Sequence, residues 1–453
     1  METAKKGYPF GFYVCAFGFT LERLAFYTMK YILAIWIATN VSAGGLGLSD
    51  VSGANVSAWF VAATYITPLF GGYIADHWIS PRVCVAAGMI MMGIGYTIAW
   101  KATSLGLVWV MVILVALGTG LFKGNMSGIN GLLFNDRDRL DSAFSIQYSF
   151  VNIGSFLGTT FLAALPTIGL FGLKVSFNTV FLISAMFMFA DALWFIIGGR
   201  ASFGDAGKTP FKKDQREFVS AEKKEKELTE PLTKDDWKKI WAIILVTLLS
   251  GVFWLVWYMA YMPAYYYFGW GDGDDFLNKA DWHIGGHLIP TSWFDSVNAL
   301  VCIVLGFAFA SLWAKFAKSE RKQLSMFRKT ALGTILVGVA YLVMVLANMQ
   351  ATAHGQCSVW WLALVCLLMS VGEMLFSPLG NSFISKLAPA KVLGLLLGFW
   401  PIAVFLAQRL YPALYAYLKT LEFNKGYGGV GVIVVVFGLI LFFASSKLEK
   451  LER

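Results

Sequence analysis

The chain has 453 residues, of which 58% are hydrophobic and 14% charged, with 45 glycines and 38 phenylalanines. No single soluble core of that length hides so much apolar surface, so composition excludes a soluble globular protein and leaves the polytopic membrane class. The formal net charge of +9 is accounted for by membrane topology, as set out below, and gives no argument for nucleic-acid binding.

About twenty apolar residues suffice to cross the hydrocarbon. Twelve such spans are predicted, near 10–39, 54–75, 83–100, 105–134, 143–165, 177–198, 237–268, 294–314, 327–348, 358–384, 392–418 and 428–446. The first carries Glu22, Arg23 and Lys30. On a helix, Phe19, Glu22, Arg23, Phe26 and Lys30 form one stripe. A charge at mid-bilayer costs about 3 kcal/mol on insertion scales, so such groups normally face a wet cavity or a partner. The blander reading is that Glu22 and Arg23 neutralise each other or snorkel to an interface. Span four carries Lys123, span five Tyr148 and Asn152, and span six Asp191.

Residues 200–236 break the apolar pattern, with alternating Lys and Glu from Glu222 to Glu230, and read as a solvated, partly helical cytoplasmic linker. They divide the chain into an N-terminal six-helix bundle, 1–199, and a C-terminal one, 237–453. Two bundles with a path between them is the usual plan of twelve-span transporters. The second half carries Trp254 and Trp257 on span seven, Asn298 on span eight, Glu373 and Ser377 at i, i+4 on span ten, and Trp400 and Arg409 on span eleven. Between spans seven and eight, Gly271 to Asp275 reads as a solvated turn, because it lacks the closing Glu of an EF-hand. His283 and His287 have no evident third ligand and are assigned to the loop, so no metal is expected.

With the N-terminus inside, inner segments hold 27 of the 36 Lys and Arg residues, and outer loops hold five: Lys101, Lys174, Lys279, Lys419 and Lys425. This asymmetry places both termini in the cytoplasm, with the plasma (inner) membrane as the default location. The first apolar run is too long for a cleavable signal and has no small-residue cleavage site. Five scattered cysteines offer no disulfide framework. The sequons at Asn40 and Asn55 flank the first outer loop, the second close to a span.

The basic groups Arg23, Lys30 and Lys123 fall in the first half and the acidic Glu373 in the second. That polarity suits a zwitterion with separated charges. Tyr65, Trp254, Trp257 and Trp400 offer aromatic surface for side-chain pockets, against the alternative of packing or lipid contact.

Several stretches at these residues resemble the proton-coupled oligopeptide transporter family of the major facilitator superfamily. They are Tyr65 to Asp76 closing span two, Gly120-Leu-Phe-Lys-Gly-Asn125 in span four, and Asp141 to Tyr148 followed by Asn152-Ile-Gly-Ser155 in span five. Gly372-Glu373 with Ser377-Pro378, then Lys386 to Pro389, and Gly398-Phe-Trp400 continue the resemblance in the second half. It implies an all-α major facilitator fold and secondary active transport of di- or tripeptides or peptide-like solutes by alternating access, with no cofactor and the proton as coupling ion. It further implies that Arg23 and Lys123 meet the peptide carboxylate, and that Tyr27, Lys30, Tyr65 and Asn152 line the site. Asn298 and Glu373 would receive the amino terminus, and Ser377 and Trp400 complete the second half. Glu22, Arg23, Lys123 and Glu373 are the candidates for proton coupling.

The sequence also departs from the family pattern. Phe19 stands where the first acid of the span-one motif belongs, and no acid follows Phe253-Trp254 in span seven. Lys30 replaces the usual Arg, Gly124 replaces a Pro, and Arg409 has no counterpart. Asp191 is a further, weaker coupling candidate. Two readings therefore stand beside peptide transport: an organic-anion or nitrogenous-metabolite carrier on the same fold, and a transport-deficient membrane sensor. An enzyme is not expected, since no catalytic motif is found. Sequence does not set the oligomeric state.

Overall fold

The computed structural model describes residues 7–134, 137–211, 231–317, 325–376, 380–389 and 392–448. Among the described residues run twelve long helices. In the first half these are α1 Phe10–Ala38, α2 Asp50–His77, α3 Pro81–Trp100, α4 Leu105–Leu132, α5 Arg137–Leu157 and α6 Phe177–Ser202. In the second they are α7 Lys234–Met262, α8 Trp293–Ala317, α9 Met326–His354, α10 Trp360–Phe376, α11 Leu393–Lys419 and α12 Phe423–Leu448. Eight helices are long and apolar enough to cross a membrane, and Trp293–Leu305 and Trp360–Leu375 are shorter apolar stretches. α1 is not one of the eight, because Glu22, Arg23 and Lys30 interrupt its apolar run.

The chain forms two compact units, one of Met1–Leu48 with Trp59–Arg216 and one of Ser49–Ala58 with Glu217–Arg453. In the first, α1 packs on α5 and α6, and α3 packs on α4 and α6. Where helices meet at glycine, backbones touch. A Cβ on Gly71 would lie 2.0 Å from the Gly120 carbonyl oxygen. The same α2–α4 seam is tied by Thr67, whose hydroxyl donates to the Ala116 carbonyl at 2.7 Å, and by Asn125, whose amide donates to the Gly71 carbonyl at 3.1 Å. Small residues with hydroxyl and amide donors are how helices associate where no water drives them together.

α5 passes into a π turn, Gly158–Leu162. The Gly158 carbonyl accepts the Ala163 N–H five residues on at 2.8 Å and the Thr28 hydroxyl of α1 at 3.1 Å. α7 does the same at its end. It starts on a capping box between Thr233 and Asp236 and runs to Pro263, whose missing N–H breaks the regular ladder. The π turn Pro263–Tyr267 follows. Neither π turn was legible in the hydrophobic pattern, which gave only unbroken spans.

In the second unit α7 packs on α9 and α11, α9 on α10 and α12, and α8 on α10. An eight-residue helix, Gly380–Leu387, follows α10. The loop after α7 is more ordered than the solvated turn expected from its composition. Strands β1 Ala280–Asp281 and β4 Cys357–Ser358 pair in parallel, and β2 His283–Ile284 pairs antiparallel with β3 His287–Leu288. Gly285 and Gly286, with φ of 60° and 80°, supply the left-handed turn that such a two-residue hairpin requires. His283 and His287 therefore lie on a hairpin, and Asp281 holds the His283 Nδ1 at 2.8 Å.

Asp275 takes part in a built cluster. The Lys419 ammonium donates to Asp50 at 2.7 Å and to Asp275 at 2.8 Å, the Tyr415 hydroxyl donates to Asp50 at 2.6 Å, and the Asp50 N–H donates to Asp275 at 2.9 Å. Asn55 lies on α2 rather than in a loop, and its carbonyl accepts Arg409 at 3.3 Å. Arg409, for which the sequence offered no role, is thus tied to the start of α2.

Candidate functional site

In the first unit the charged stripe of α1 is inside: Glu22, Arg23 and Lys30 are 1%, 7% and 8% exposed. The Arg23 guanidinium donates from two nitrogens to both carboxylate oxygens of Glu22. The mutual neutralisation that the sequence left open is therefore real, and it occurs in the interior rather than at an interface. The guanidinium also lies 4.4 Å from the Phe26 ring centre and 6.0 Å from that of Tyr27, so the cation is wedged between a carboxylate and aromatic faces.

α1 is held to this position by α5. A Cβ on Gly154 would sit 2.3 Å from the Thr20 carbonyl oxygen, and Thr20 donates to the Phe150 carbonyl at 3.0 Å. Across the α2–α4 seam, the Lys123 ammonium stands 5.3 Å from the Tyr65 ring centre. Lys123 is half-buried and lies in the electric field of both Arg23 and Glu22. Among the described residues no carboxylate stands within ion-pair distance of it. Arg23, Tyr27, Tyr65 and Lys123 are thus brought into one electrostatic neighbourhood. Asn152 is half-buried on α5, and its amide donates to the Tyr148 carbonyl of its own helix at 3.0 Å.

In the second unit, the Asn298 amide on α8 donates to the Glu373 carboxylate and to the Ser370 hydroxyl on α10, each at 3.0 Å. Ser370 in turn donates to the Cys366 carbonyl at 2.7 Å. Glu373 is half-buried, so its carboxylate is oriented by a neutral amide while part of it stays accessible. Trp400 packs against the apolar cluster of Ile240, Ile243, Ile384 and Leu396, and its ring covers the Cα of Gly380. Ser377 lies outside the described residues.

One feature escaped the reading of the sequence, which named Trp254 and Trp257 but not the row they begin. Trp254, Trp257, Tyr258, Tyr261 and Tyr265 form a continuous aromatic ladder up α7, with ring centres 4.7 to 5.7 Å apart at Trp254–Trp257, Trp257–Tyr261 and Tyr261–Tyr265. It ends where the Tyr265 hydroxyl donates to Asp295. Its signal was available in the three- and four-residue spacing of the rings. Asp191, which the sequence marked as a weaker coupling candidate, is fully buried on α6.

A sequence profile described as the POT family matches residues 82–225 and 203–433. The chain is 26% identical over 485 residues to the "Uncharacterized transporter YclF" of Bacillus subtilis strain 168, covering 98% of this chain and 95% of that one. It is 24% identical over 484 residues to the "Di-/tripeptide transporter" of Lactococcus lactis subsp. cremoris, covering 95% and 94%. A crystal structure of a POT family transporter in complex with 5-aminolevulinic acid shares the fold, with a TM-score of 0.84 at 23% identity over 97% of each chain. The profile takes in well over half of the sequence, including the stretches that hold Lys123 and Glu373, and on that ground the chain belongs to the POT family, the proton-coupled oligopeptide transporters of the major facilitator superfamily.

Proposed function

We propose that this integral membrane protein is a secondary transporter of di- and tripeptides or peptide-like zwitterions, driven by protons, with both termini in the cytoplasm. The observation that carries the reading is the separation of charge between its units. One holds a half-buried ammonium, Lys123, beside the Arg23–Glu22 pair; the other holds a half-buried carboxylate, Glu373, oriented by Asn298. The first unit thus offers a counter-charge to a carboxylate, at Lys123, and the second offers one to an ammonium, at Glu373. The relative in Lactococcus lactis is named for di- and tripeptide transport, and a structural neighbour was solved with 5-aminolevulinic acid, which also carries a carboxylate and an amine. The aromatic ladder of α7 supplies apolar surface for a solute's side chains.

The test is a thermal-shift screen of the purified protein against dipeptides, tripeptides and small anions, since a ligand that binds only the folded state stabilises it by about 2.7 kcal/mol at a hundred times its Kd. Dipeptides are expected to raise the melting temperature, and Lys123→Ala and Glu373→Gln each to abolish the rise. Unchanged dipeptide shifts in both variants defeat the assignment. A second reading has its own support: Glu22 is occupied by Arg23, so the pole at Lys123 is positive and favours a more anionic solute. Stabilisation by dicarboxylates or phosphate-like anions, with none by dipeptides, would establish that alternative.

A further inference from the structure

Asp191 sits on α6 with none of its surface exposed, and neither carboxylate oxygen has a hydrogen-bond partner. No cation is paired with it among the described residues. An ionised carboxyl placed so is strongly disfavoured, because nothing replaces the water it has lost. As the neutral acid it retains one proton and loses far less.

The surroundings are built around this one group. Gly18 of α1 faces it, and a Cβ there would lie 3.3 Å from Asp191 Oδ1, 2.8 Å from the Met126 methyl of α4 and 3.6 Å from the Met89 methyl of α3. A single missing side chain on α1 therefore makes the space, and two methionines close it. Cys15, Gly18 and Glu22 fall at i, i+3 and i+7 on α1, one face toward α6. Three residues along α6, the Trp194 indole donates to the Val14 carbonyl at 3.2 Å and fixes α1 against α6.

The groups that bear on Asp191 are few. α1 brings Cys15 and Glu22, with Arg23 clamped on Glu22. α3 brings Met89 and, in the field of Glu22 and Arg23, the phenol of Tyr96. α4 brings Met126 and, three residues before it, Lys123, which feels Arg23 and Glu22. Among the described residues, the guanidinium on this stretch of α1, Arg23, is already taken by Glu22. Of the two carboxyls, Glu22 holds the cation and Asp191 is without one among the described residues.

We propose that Asp191 is a proton-binding site of the first unit, one that holds a proton while α1 and α6 are closed on it and exchanges it during the transport cycle. On release the O–H bond breaks, the electron pair stays on the carboxylate oxygen and the proton passes to water; uptake reverses this. The site supplies an ionisable carboxyl to a chain that lacks acids at Phe19 and after Trp254. The inference rests on the proposed proton-driven transport only for its role in the cycle, not for the proton itself.

The experiment has two arms on wild type, Asp191→Asn and Asp191→Glu. In the first, infrared difference spectra of purified protein are titrated without any solute. Wild type is expected to show the carbonyl stretch of a buried protonated carboxyl at neutral pH, and Asp191→Asn to lack it; an identical band in both overturns the proposal. In the second, proteoliposomes are loaded and driven with a labelled dipeptide. Asp191→Asn is expected to lose roughly tenfold or more of acid-driven accumulation while keeping solute counterflow, which needs no net proton movement, and Asp191→Glu to recover part of it. Accumulation by Asp191→Asn at the wild-type level and pH profile overturns the coupling role. If wild type carries no dipeptide, the peptide reading falls, and the infrared arm alone upholds or overturns the proton site.

Discussion

At the scale of single residues, the arrangement around Arg23 depends on the shape of a guanidinium as well as on its charge. Two of its nitrogens engage Glu22 while its face lies on Phe26. A lysine keeps the charge but offers neither the planar fork nor the stacking face. Arg23→Lys is therefore expected to cut uptake at least about tenfold, as loss of a bidentate, stacked contact does, without lowering expression; vesicle uptake at matched protein content measures it. The sequence identified Glu22, Arg23, Lys123, Asn298 and Glu373 because charge and amide groups in greasy helices are conspicuous. It did not show that Trp400 packs on Ile240 and Ile384. Contacts between distant segments do not show in a list of residues.

At the scale of elements, glycine seams and one ionic cluster hold the helices. Gly71→Ala would drive a methyl to 2.0 Å from the Gly120 carbonyl oxygen. Backbone cannot yield as a side chain does, so α2 and α4 must part, at a cost of about 3 kcal/mol; thermal unfolding in detergent checks this, and an unchanged melting temperature contradicts it. Lys419→Met removes the ammonium from Asp50, which is 1% exposed and keeps the Tyr415 hydroxyl and the Val51 N–H but no cation. Leaving a buried acid without its cation is expected to cost about 3 kcal/mol, and Lys419→Arg is expected to retain most of the stability.

The same cluster sets a pH dependence. Burial acts to raise the Asp275 carboxyl, but the Lys419 ammonium and the Asp50 N–H outweigh it and hold it below the ordinary carboxylate range. A depressed folded value means that its contribution is complete above the unfolded value of about 3.9 and is lost as acid carries the pH down through the folded one. The melting-temperature gap between wild type and Asp275→Asn should accordingly be full at neutral pH and close in acid.

At the scale of the whole molecule, the five cysteines of the chain are all unpaired and buried, which makes it a clean background for placing reporters. Burial pushes the Cys357 thiol up to about 11, so little thiolate is present at neutral pH and the native chain is expected to resist maleimide there. Against that background Lys174→Cys and Lys208→Cys, both exposed, should be labelled from opposite sides of an intact cell membrane by an impermeant maleimide, Lys174→Cys from outside. Labelling of both from one side refutes the orientation drawn from the basic residues. By itself the sequence determined the class of fold, the family and most span ends to within several residues, and it marked the polar side chains that stand out among apolar ones. Hydrophobic runs, glycines and buried charges each leave a local mark on the chain, because water and lipid sort residues one at a time. Tertiary structure alone decided that Glu22 answers Arg23, that Asp50 answers Lys419, that α5 and α7 end in π turns and that the Asp191 carboxyl has no hydrogen-bond partner among the described residues. Pairs such as Asp50 and Lys419 join residues far apart along the chain, and even the neighbours Glu22 and Arg23 meet in the interior only because packing buries their stretch of α1; no single segment records either.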